Sequence, residues 1–386
     1  MKLSERLARL GTETAFEVLV RARALEAQGR NIVHLEIGEP DFDTPAHITE
    51  AGIEALRGGA THYGPSAGLP ELRQAIAEDS TARRGVRATS EMVVVTPGGK
   101  PIMFYVILAL IDPGDEVLYP NPGFPIYESM IRYIGGVPVP VRLQESRGFE
   151  LDVDQLVNKV GPRTRLIVLN SPHNPTGGVI PEAGLRAVAD VAARNGIPVL
   201  ADEIYSQLLY DGHHVSIAAV PGMEPHAIVL DGFSKTYAMT GWRLGYGILP
   251  APLAQVVAKL QTNAVSCTAT FTQKAGIAAL RGDQAPVRAM LEEFRGRRDA
   301  IVDGLRQIPG FSCPRPHGAF YIFPNITQTG FSAKPLADRL LDEAGVACLS
   351  GTAFGEWGEG HLRFSYANSL ENIEEALRRI RTCLAA

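Results

Sequence analysis

The middle of the chain alternates short, continuously apolar runs with longer helical patterns, and this alternation constrains the fold more than any other feature. A strand covered by helices on both faces is apolar throughout, whereas a half-exposed strand alternates apolar and polar residues. We therefore predict an α/β fold with a mostly parallel sheet. The predicted strands are residues 93–96, 116–119, 165–169, 198–201 and 227–230, and the predicted helices begin near residue 100 and span 126–133 and 181–194.

The last third of the chain has a different pattern, typical of a smaller α+β domain. Leu291, Phe294, Ile301, Leu305 and Ile308 recur on one helical face, and a Pro-Gly pair ends that pattern. This long helix is expected to lead from the large domain into the small one. We predict strands at 319–323 and 361–365 and helices at 333–344 and 370–384. The predicted division is an N-terminal segment (1–44) that completes the small domain, a large domain (45–290) and the small domain (291–386).

Composition excludes several classes of function. The 386 residues include 37 basic and 42 acidic side chains, and the net charge of −5 gives no electrostatic reason to expect nucleic acid or an anionic membrane as a partner. The longest apolar run, 102–111, is about half a membrane span. The four cysteines form no C-x-x-C pair and the chain starts without a signal-peptide pattern. We therefore expect a reduced, cytoplasmic setting and no bound metal.

One lysine lies between small residues in the segment Asp231-Gly232-Phe233-Ser234-Lys235-Thr236, and Arg243 follows eight positions later. A lysine in such a turn can be held against a cofactor, and an arginine at this spacing can return to grip a phosphate. We infer that Lys235 forms an imine with pyridoxal phosphate and later serves as the base that moves the α-proton, with Ser234 donating to the phosphate. The alternatives are a surface lysine at 235 and an imine on Lys100.

Polar residues follow other predicted strands at their carboxyl ends, where ligands bind in open parallel sheets. Asp202 would pair with the pyridine nitrogen of the cofactor and keep the ring protonated. Tyr205 and Asn174 would hydrogen-bond the phenolic oxygen. Asp202 as a helix N-cap and Tyr205 as a core aromatic residue are alternatives that stay open.

Two more strand ends carry candidates for the cofactor. The turn Pro97-Gly98-Gly99-Lys100 precedes a helix, where exposed backbone N–H groups and the helix dipole suit a phosphate. Phe124 could stack on the pyridine ring or belong to the core.

The remaining candidates would meet the substrate or a second subunit. Arg363 lies among apolar residues in a predicted strand and needs an anionic partner, either a substrate carboxylate or an internal salt bridge. Gly38, in a sharp loop, could place a backbone N–H against a carboxylate. Tyr63, in a Gly/Pro-rich loop, could cross a subunit boundary.

Together these motifs resemble those of the class I aminotransferases, which have the type I fold of pyridoxal phosphate enzymes. They look most similar to the bacterial aspartate aminotransferase subgroup, from about Ile37 to the last helix. The resemblance rests on Gly38-Glu39-Pro40-Asp41-Phe42, Tyr63 with Gly68-Leu69-Pro70-Glu71-Leu72-Arg73, Ser171-Pro172-His173-Asn174-Pro175-Thr176-Gly177, Asp202-Glu203-Ile204-Tyr205, Ser234-Lys235 with Gly241-Trp242-Arg243, and Arg363-Phe364-Ser365-Tyr366.

The resemblance implies a homodimer that transfers the amino group of an L-amino acid to a 2-oxo acid such as 2-oxoglutarate. It implies that Lys235 carries the cofactor, with Asp202 and Tyr205 as its catalytic partners. It implies that the α-carboxylate of the substrate is held by Gly38, Asn174 and Arg363. The phosphate contacts that it implies are Gly98, Gly99, Lys100 through its backbone, Ser234, Arg243 and the partner's Tyr63.

The chain also departs from the family's pattern. Gly232 stands where some relatives carry a phosphate-binding serine, and Phe124 stands where many have tryptophan. No motif supplies a second arginine for a distal carboxylate, so the amino donor is left open. The rival hypotheses are another pyridoxal phosphate reaction at Cα (elimination, decarboxylation or oxidation) and a non-catalytic ligand sensor. A serine hydrolase is disfavoured because Gly232-Phe233-Ser234-Lys235-Thr236 lacks the last glycine of G-x-S-x-G.

Overall fold

The computed structural model describes residues 1–385, which form twelve strands and twelve α-helices, numbered here along the chain. The strands are β1 (Val33–His34), β2 (Val93–Thr96), β3 (Glu116–Asn121), β4 (Val137–Arg142), β5 (Thr164–Asn170), β6 (Val199–Asp202), β7 (Ala227–Gly232), β8 (Gly245–Ile248), β9 (Tyr321–Ile322), β10 (Val346–Ala347), β11 (Leu349–Ser350) and β12 (Leu362–Ser365). The helices are α1 (Thr14–Glu26), α2 (Ala46–Arg57), α3 (Pro70–Arg84), α4 (Lys100–Leu110), α5 (Pro125–Ile134), α6 (Val153–Lys159), α7 (Glu182–Asn195), α8 (Ala251–Val265), α9 (Thr270–Arg281), α10 (Ala285–Arg306), α11 (Ala333–Arg339) and α12 (Leu370–Ala385).

Short helical turns complete the described residues. A π-helical turn, Leu340–Ala344, continues α11. The 3₁₀ turns are Glu5–Arg9, Ser90–Met92, Glu145–Arg147, Ile217–Ala219, Thr327–Thr329, Gly351–Phe354 and Glu356–Gly358.

The large sheet confirms the predicted α/β class. Its seven strands run in the order β2-β8-β7-β6-β5-β3-β4, and every pair is parallel except the two that involve β8. All five strands expected from the apolar runs are present, and the neighbouring strands β6 and β7 are buried along their whole length. The sequence pattern missed β4, which is partly exposed, and β8, which is short and has glycine at two of its four positions.

Proline and glycine set the ends of the helices that cover this sheet. Pro70 and Pro125 occupy the first positions of α3 and α5, where the fixed φ of proline suits a helix and its missing N–H costs nothing. Gly85, Gly135 and Gly196 end α3, α5 and α7 in the left-handed conformation that glycine adopts without steric cost. These sharp ends return the chain to the next strand in the same direction.

A second group of elements combines the two ends of the chain. β1 pairs in parallel with β10, and β12 lies between β11 and β9 in an antiparallel sheet. The face of α10 predicted from the sequence is buried in the same core as α12. The predicted domain boundary at 290/291 lies within α10, and we retain the division into two domains as a proposal.

The topology brings the carboxyl ends of the parallel strands to one edge of the large sheet. β5 ends at Asn170, β6 at Asp202 and β7 at Gly232, so the loops that follow them leave from neighbouring positions. β8 runs the opposite way and therefore begins at this edge, which places Arg243 beside the turn after β2. Among residues 1–385, no helix has both the length and the apolar character needed to cross a membrane.

Candidate active site

A cavity of about 530 Å³ opens at this edge of the sheet. Its wall combines the strand ends of the large sheet with the loop that contains Gly38, the start of α1 and residues of β9 and β12. Of the residues predicted from the sequence, those that line it are Gly38, Gly99, Lys100, Phe124, Asn174, Asp202, Tyr205, Ser234, Lys235, Arg243 and Arg363. Gly98 lies directly behind Arg243, and Tyr63 lies outside the cavity of its own chain.

Lys235 reaches the cavity from the turn that follows β7. Its Nζ donates a hydrogen bond to the Gly38 carbonyl oxygen at 2.6 Å, and no carboxylate of the described residues forms an ion pair with it. The pKa of Lys235 is lowered to about 8, mainly by burial; the nearby charges of Lys100 and Arg243 act in the same direction, and that of Glu39 opposes them. An amine with this pKa is partly neutral near physiological pH, which is the state a nucleophile or base requires.

Asp202, the last residue of β6, is buried on the cavity wall. Tyr127 donates to its Oδ2 at 2.6 Å, and the Ile204 backbone N–H donates to its Oδ1 at 3.2 Å. Burial raises the pKa of Asp202 to about 6, although these two hydrogen bonds oppose the shift. A cation in the cavity would restore the ionised carboxylate, because the group lacks an ion-pair partner among residues 1–385.

Arg363 is a buried arginine that forms no ion pair with a carboxylate of the described residues. Its side chain is held by the Glu36 carbonyl and by Asn174 Oδ1, which lies 3.3 Å from Nη1, while its Nε has no hydrogen-bond partner among residues 1–385. The guanidinium carbon lies 4.6 Å and 5.0 Å from the ring centroids of Tyr321 and Phe354. Burial lowers the pKa of Arg363. The internal salt bridge considered from the sequence is therefore absent, and an anionic ligand would complete the site.

Close packing of glycines forms a cradle at the N-terminus of α4. Gly98 has φ +89°, and a Cβ there would lie 2.1 Å from Arg243 Nη2. A Cβ on Gly245 would lie 2.4 Å from the Gly99 nitrogen, so β8 can approach the turn only with glycine at that position. The guanidinium of Arg243, the N-terminus of α4 and the buried Ser234 consequently converge on one corner of the cavity.

The aromatic candidates differ in their exposure. Phe124, the residue before α5, is partly buried and meets Tyr127 edge to face with 5.6 Å between ring centroids. Lys100 Nζ lies 5.4 Å from the Phe124 centroid and forms an ion pair with Glu13 at the start of α1. Tyr63 is 88% exposed, on a surface of its own chain.

Comparisons with known proteins identify the family of the chain. The family model of the class I and II aminotransferases matches residues 30–380. A probable aspartate/prephenate aminotransferase of Aquifex aeolicus is 41% identical and is aligned over 99% of this chain and 98% of its own. An arginine–pyruvate transaminase of Pseudomonas aeruginosa is 39% identical over 96% of this chain and 94% of its own. The solved structure of the Thermus thermophilus aspartate aminotransferase with maleate matches with a TM-score of 0.96, at 39% identity, over 99% of this chain and all of that one.

The chain belongs to the class I aminotransferases. The resemblance found from its motifs is confirmed, as is the type I fold. It is an enzyme of the transaminase class, which moves an amino group from an amino acid to a 2-oxo acid. A non-catalytic ligand sensor is thereby set aside.

Two tyrosines of this aminotransferase were missed from the sequence. Tyr127 lies on α5 and donates to Asp202, and Tyr321 lies on β9 with its hydroxyl 2.8 Å from that of Tyr205. The sequence predicted the helix at 126–133 that carries Tyr127, but no local pattern points from this helix to Asp202. For Tyr321 the sequence separation of 116 residues from Tyr205 removes any local signal.

A cluster of buried charges behind the cavity was also missed. Arg84, the last residue of α3, donates to Glu203 Oε2 at 2.7 Å and to Asp231, and its side chain is 2% exposed. Ser216 donates to Glu203 Oε1 at 2.6 Å, and His214 Nε2 lies 3.0 Å from Glu203 Oε2. These contacts fill the side of the strand ends that faces away from the ligand cavity of the aminotransferase.

Proposed function

We propose that the cavity binds pyridoxal phosphate through an imine with Lys235 and binds the α-carboxylate of an amino acid at Arg363. One observation carries this proposal: an amine with a lowered pKa and a buried, unneutralised guanidinium line the same cavity. An amino acid has the anion that Arg363 lacks and the amine that would displace Lys235 from the cofactor. No other ligand class meets both requirements as directly.

The residues present suit the cofactor. The corner formed by Gly98, Gly99, Ser234 and Arg243 offers backbone N–H groups, a hydroxyl and a guanidinium, which is the donor set for a phosphate. Asp202, with its pKa raised to about 6 by burial, would regain its charge beside a protonated pyridine nitrogen. The cofactor, when bound, supplies a ring that accepts the electron pair left at Cα.

The chain's own residues would hold the cofactor, orient the substrate and move the Cα proton. Phe124 would cover one face of the ring, and Tyr205 and Asn174 would hydrogen-bond the phenolic oxygen. The Lys235 amine, once free, would take the proton from Cα of the substrate and hold it as an ammonium group. Arg363 would fix the carboxylate so that the Cα–H bond faces Lys235.

We further propose a cytoplasmic homodimer. Tyr63 is 88% exposed and so is available for contact with a second subunit, where it would reach the partner's phosphate site. All four cysteines carry free thiols, which suits a reducing compartment. Analytical ultracentrifugation of the purified protein tests the stoichiometry, and a Tyr63→Phe variant that weakens cofactor binding would support the role of the tyrosine hydroxyl.

Replacement of Lys235 tests the site. Lys235→Ala should lose the absorbance of the lysine-bound cofactor and lower transamination by about 10⁴-fold or more, because both the covalent anchor and the base are removed. Lys100→Ala is the matched variant, and it should keep that absorbance because its ammonium pairs with Glu13 rather than with the cofactor. Full activity of Lys235→Ala, or loss of the absorbance only in Lys100→Ala, would refute the assignment.

A single-turnover measurement separates transamination from the other reactions at Cα. The loaded enzyme, mixed with an amino acid and no 2-oxo acid, should release about one 2-oxo acid per active site and then stop, because the amino group stays on the enzyme. Sustained release of ammonia, carbon dioxide or peroxide would favour a lyase, a decarboxylase or an oxidase. A panel of amino donors in the same assay would identify the preferred side chain.

A further inference from the structure

Tyr321 contacts both Tyr205, proposed to bind the phenolic oxygen of the cofactor, and Arg363, proposed to bind the substrate carboxylate. It lies on β9 with 2% of its surface exposed, and its hydroxyl oxygen is 2.8 Å from that of Tyr205. Its ring also packs against the guanidinium of Arg363, 4.6 Å from the ring centroid. Tyr321 thus contacts a residue on either side of the cavity, although neither its motif nor its strand position marks it as functional.

The hydroxyl groups of Tyr205 and Tyr321 form one hydrogen bond with each other and together carry two protons. Each tyrosine hydroxyl has one proton to donate, and burial raises the pKa of both tyrosines, so both are protonated. Among the described residues, each hydroxyl has the other as its hydrogen-bond partner. One proton lies between the two oxygens, and the second is left for a group in the cavity. Which tyrosine directs its proton into the cavity depends on the ligand.

We propose that Tyr321 is a positioning residue that donates its hydroxyl proton to the Tyr205 oxygen and so directs the Tyr205 proton to the phenolic oxygen of the cofactor. This inference rests on the proposed function. Since Tyr205 has a single proton, donation to the cofactor leaves only its lone pairs for Tyr321. A hydrogen bond accepted by the Tyr205 oxygen also polarises its O–H bond, which strengthens the donation to the cofactor.

The position of the Tyr321 hydroxyl is fixed by packing. A Cβ on Gly38 would lie 1.8 Å from the Tyr321 hydroxyl oxygen, so only glycine at 38 allows the hydroxyl to take its place. The rings of Phe320 and Tyr205 flank Tyr321 at centroid distances of 4.9 and 5.7 Å. With Arg363 on its remaining side, the ring has little freedom to turn the hydroxyl away from Tyr205. This contact gives Gly38 a second reason to be glycine, besides the backbone N–H expected from the sequence.

The consequence is measurable in the enzyme loaded with pyridoxal phosphate. A donor to the phenolic oxygen stabilises its anionic form, which accompanies the deprotonated imine, and therefore lowers the pH at which the visible absorbance changes. Tyr321→Phe should move this midpoint to higher pH by about half a pH unit, because it weakens the donation without removing it. Tyr205→Phe should move the midpoint further in the same direction, by about 1 to 2 pH units, because it removes the donor.

A double-mutant cycle tests whether Tyr321 acts through Tyr205. The variant that carries both substitutions should titrate like Tyr205→Phe alone, because the proton of Tyr321 then has no hydroxyl to direct. Tyr210→Phe is the matched control: its hydroxyl is buried in the same core and donates to the Ala319 carbonyl, so its loss should leave the midpoint unchanged. Thermal unfolding of the cofactor-free proteins should show comparable losses for Tyr210→Phe and Tyr321→Phe.

Gly38→Ala provides an independent variant in which the tyrosine remains. The added methyl group would displace the Tyr321 hydroxyl from Tyr205, so the midpoint should rise as it does in Tyr321→Phe. An unchanged midpoint in both variants, or additive shifts in the double variant, would overturn the inference while leaving the proposed function intact. A wild-type protein whose absorbance shows no lysine-bound pyridoxal phosphate would instead refute the proposed function.

Discussion

Asp202 and Glu203 are adjacent carboxylates at the end of one strand, yet they lie in opposite environments. Asp202 faces the cavity, and burial raises its pKa to about 6 because no cation among the described residues neutralises it. Glu203 faces the interior, where burial would also raise its pKa, but His214, Arg84 and a hydrogen bond from Ser216 lower it to about 2. The negative charge of Glu203 is thus stabilised by neighbouring groups, whereas the negative charge of Asp202 has no cationic partner among the described residues.

Arg84 and Arg363 show the same difference between a paired and an unpaired buried charge. Arg84 and Arg363 are both buried, but Arg84 meets two carboxylates, whereas Arg363 meets carbonyl oxygens and aromatic rings. The interior cluster is complete without a ligand, and the cavity is not. Buried charges that the protein leaves unpaired therefore identify the functional site, and equally buried charges that it pairs identify structural support.

The largest effect on stability is expected in the interior cluster. Arg84→Met should lower the free energy of unfolding by about 3–5 kcal/mol, because Glu203 and Asp231 would remain buried without their cation. Arg363→Met makes the same chemical change in the cavity and should alter the free energy of unfolding of the cofactor-free protein by less than about 1 kcal/mol. Urea denaturation of both variants measures the difference, and equal losses would end the distinction between the two regions.

Arg363 should instead dominate substrate binding. Arg363→Met is expected to lower kcat/KM for an L-amino acid by about 100-fold, equivalent to about 3 kcal/mol, because two charged hydrogen bonds to the carboxylate are lost. Steady-state kinetics should show a much smaller loss for the matching amine without a carboxylate. A similar loss for both substrates would mean that Arg363 supports the fold rather than the carboxylate.

The adjacent carboxylates should respond to pH with opposite signs. The raised pKa of Asp202 means that the folded protein binds its proton more tightly, so this contribution to stability is present below about pH 4 and is lost as the pH rises through about 6. Cofactor-free Asp202→Asn should therefore be more stable than the wild type at about pH 8, by about 1–3 kcal/mol, with the gap closing toward pH 4.

Glu203→Gln is the control for that measurement. Because the pKa of Glu203 is lowered, its stabilising contribution is present above about pH 4.5 and is lost as the pH falls toward about 2. The amide should therefore be less stable than the wild type at neutral pH. Thermal unfolding over a range of pH measures the stability of both variants relative to the wild type. A stability change of the same sign in Asp202→Asn and Glu203→Gln at about pH 8 would contradict the opposed environments.

The smallest effect is expected at the partly exposed wall of the cavity. Phe124→Leu should weaken cofactor binding by about 5- to 10-fold, because the stacking of the Phe124 ring on the pyridine ring, which contributes about 1 kcal/mol, is lost. Phe124→Trp keeps that face and should bind the cofactor about as tightly as the wild type. Fluorescence titration with pyridoxal phosphate measures both, and an equal loss in the two variants would exclude stacking as the role of Phe124.

The elements that the sequence predicted share a strong local signal. Strands β2, β3, β5, β6 and β7 each contain a continuous apolar run, and α10 repeats its apolar face over several turns, so each is recognisable without its neighbours. β8 carries no such signal, because its two glycines are set by tertiary contacts: a Cβ on Gly245 would meet the turn after β2, and a Cβ on Gly247 would meet Ile102 of α4. Its antiparallel direction, which brings Arg243 back to the cavity, was consequently not predicted.

The α/β class, the family and the residues that cluster in the cavity can be predicted from the chain's motifs, because motifs at strand ends are local and parallel topology gathers them at one edge. Which buried charges are paired is visible only in the folded protein. The sequence singled out Arg363 and Tyr205, but it does not show which residues Arg84, Arg363 and Tyr205 contact. Their partners come from positions more than a hundred residues away in the chain, such as Glu203 for Arg84 and Tyr321 for Tyr205. Burial and pairing are properties of the packed chain, and they separate the ligand site from its support.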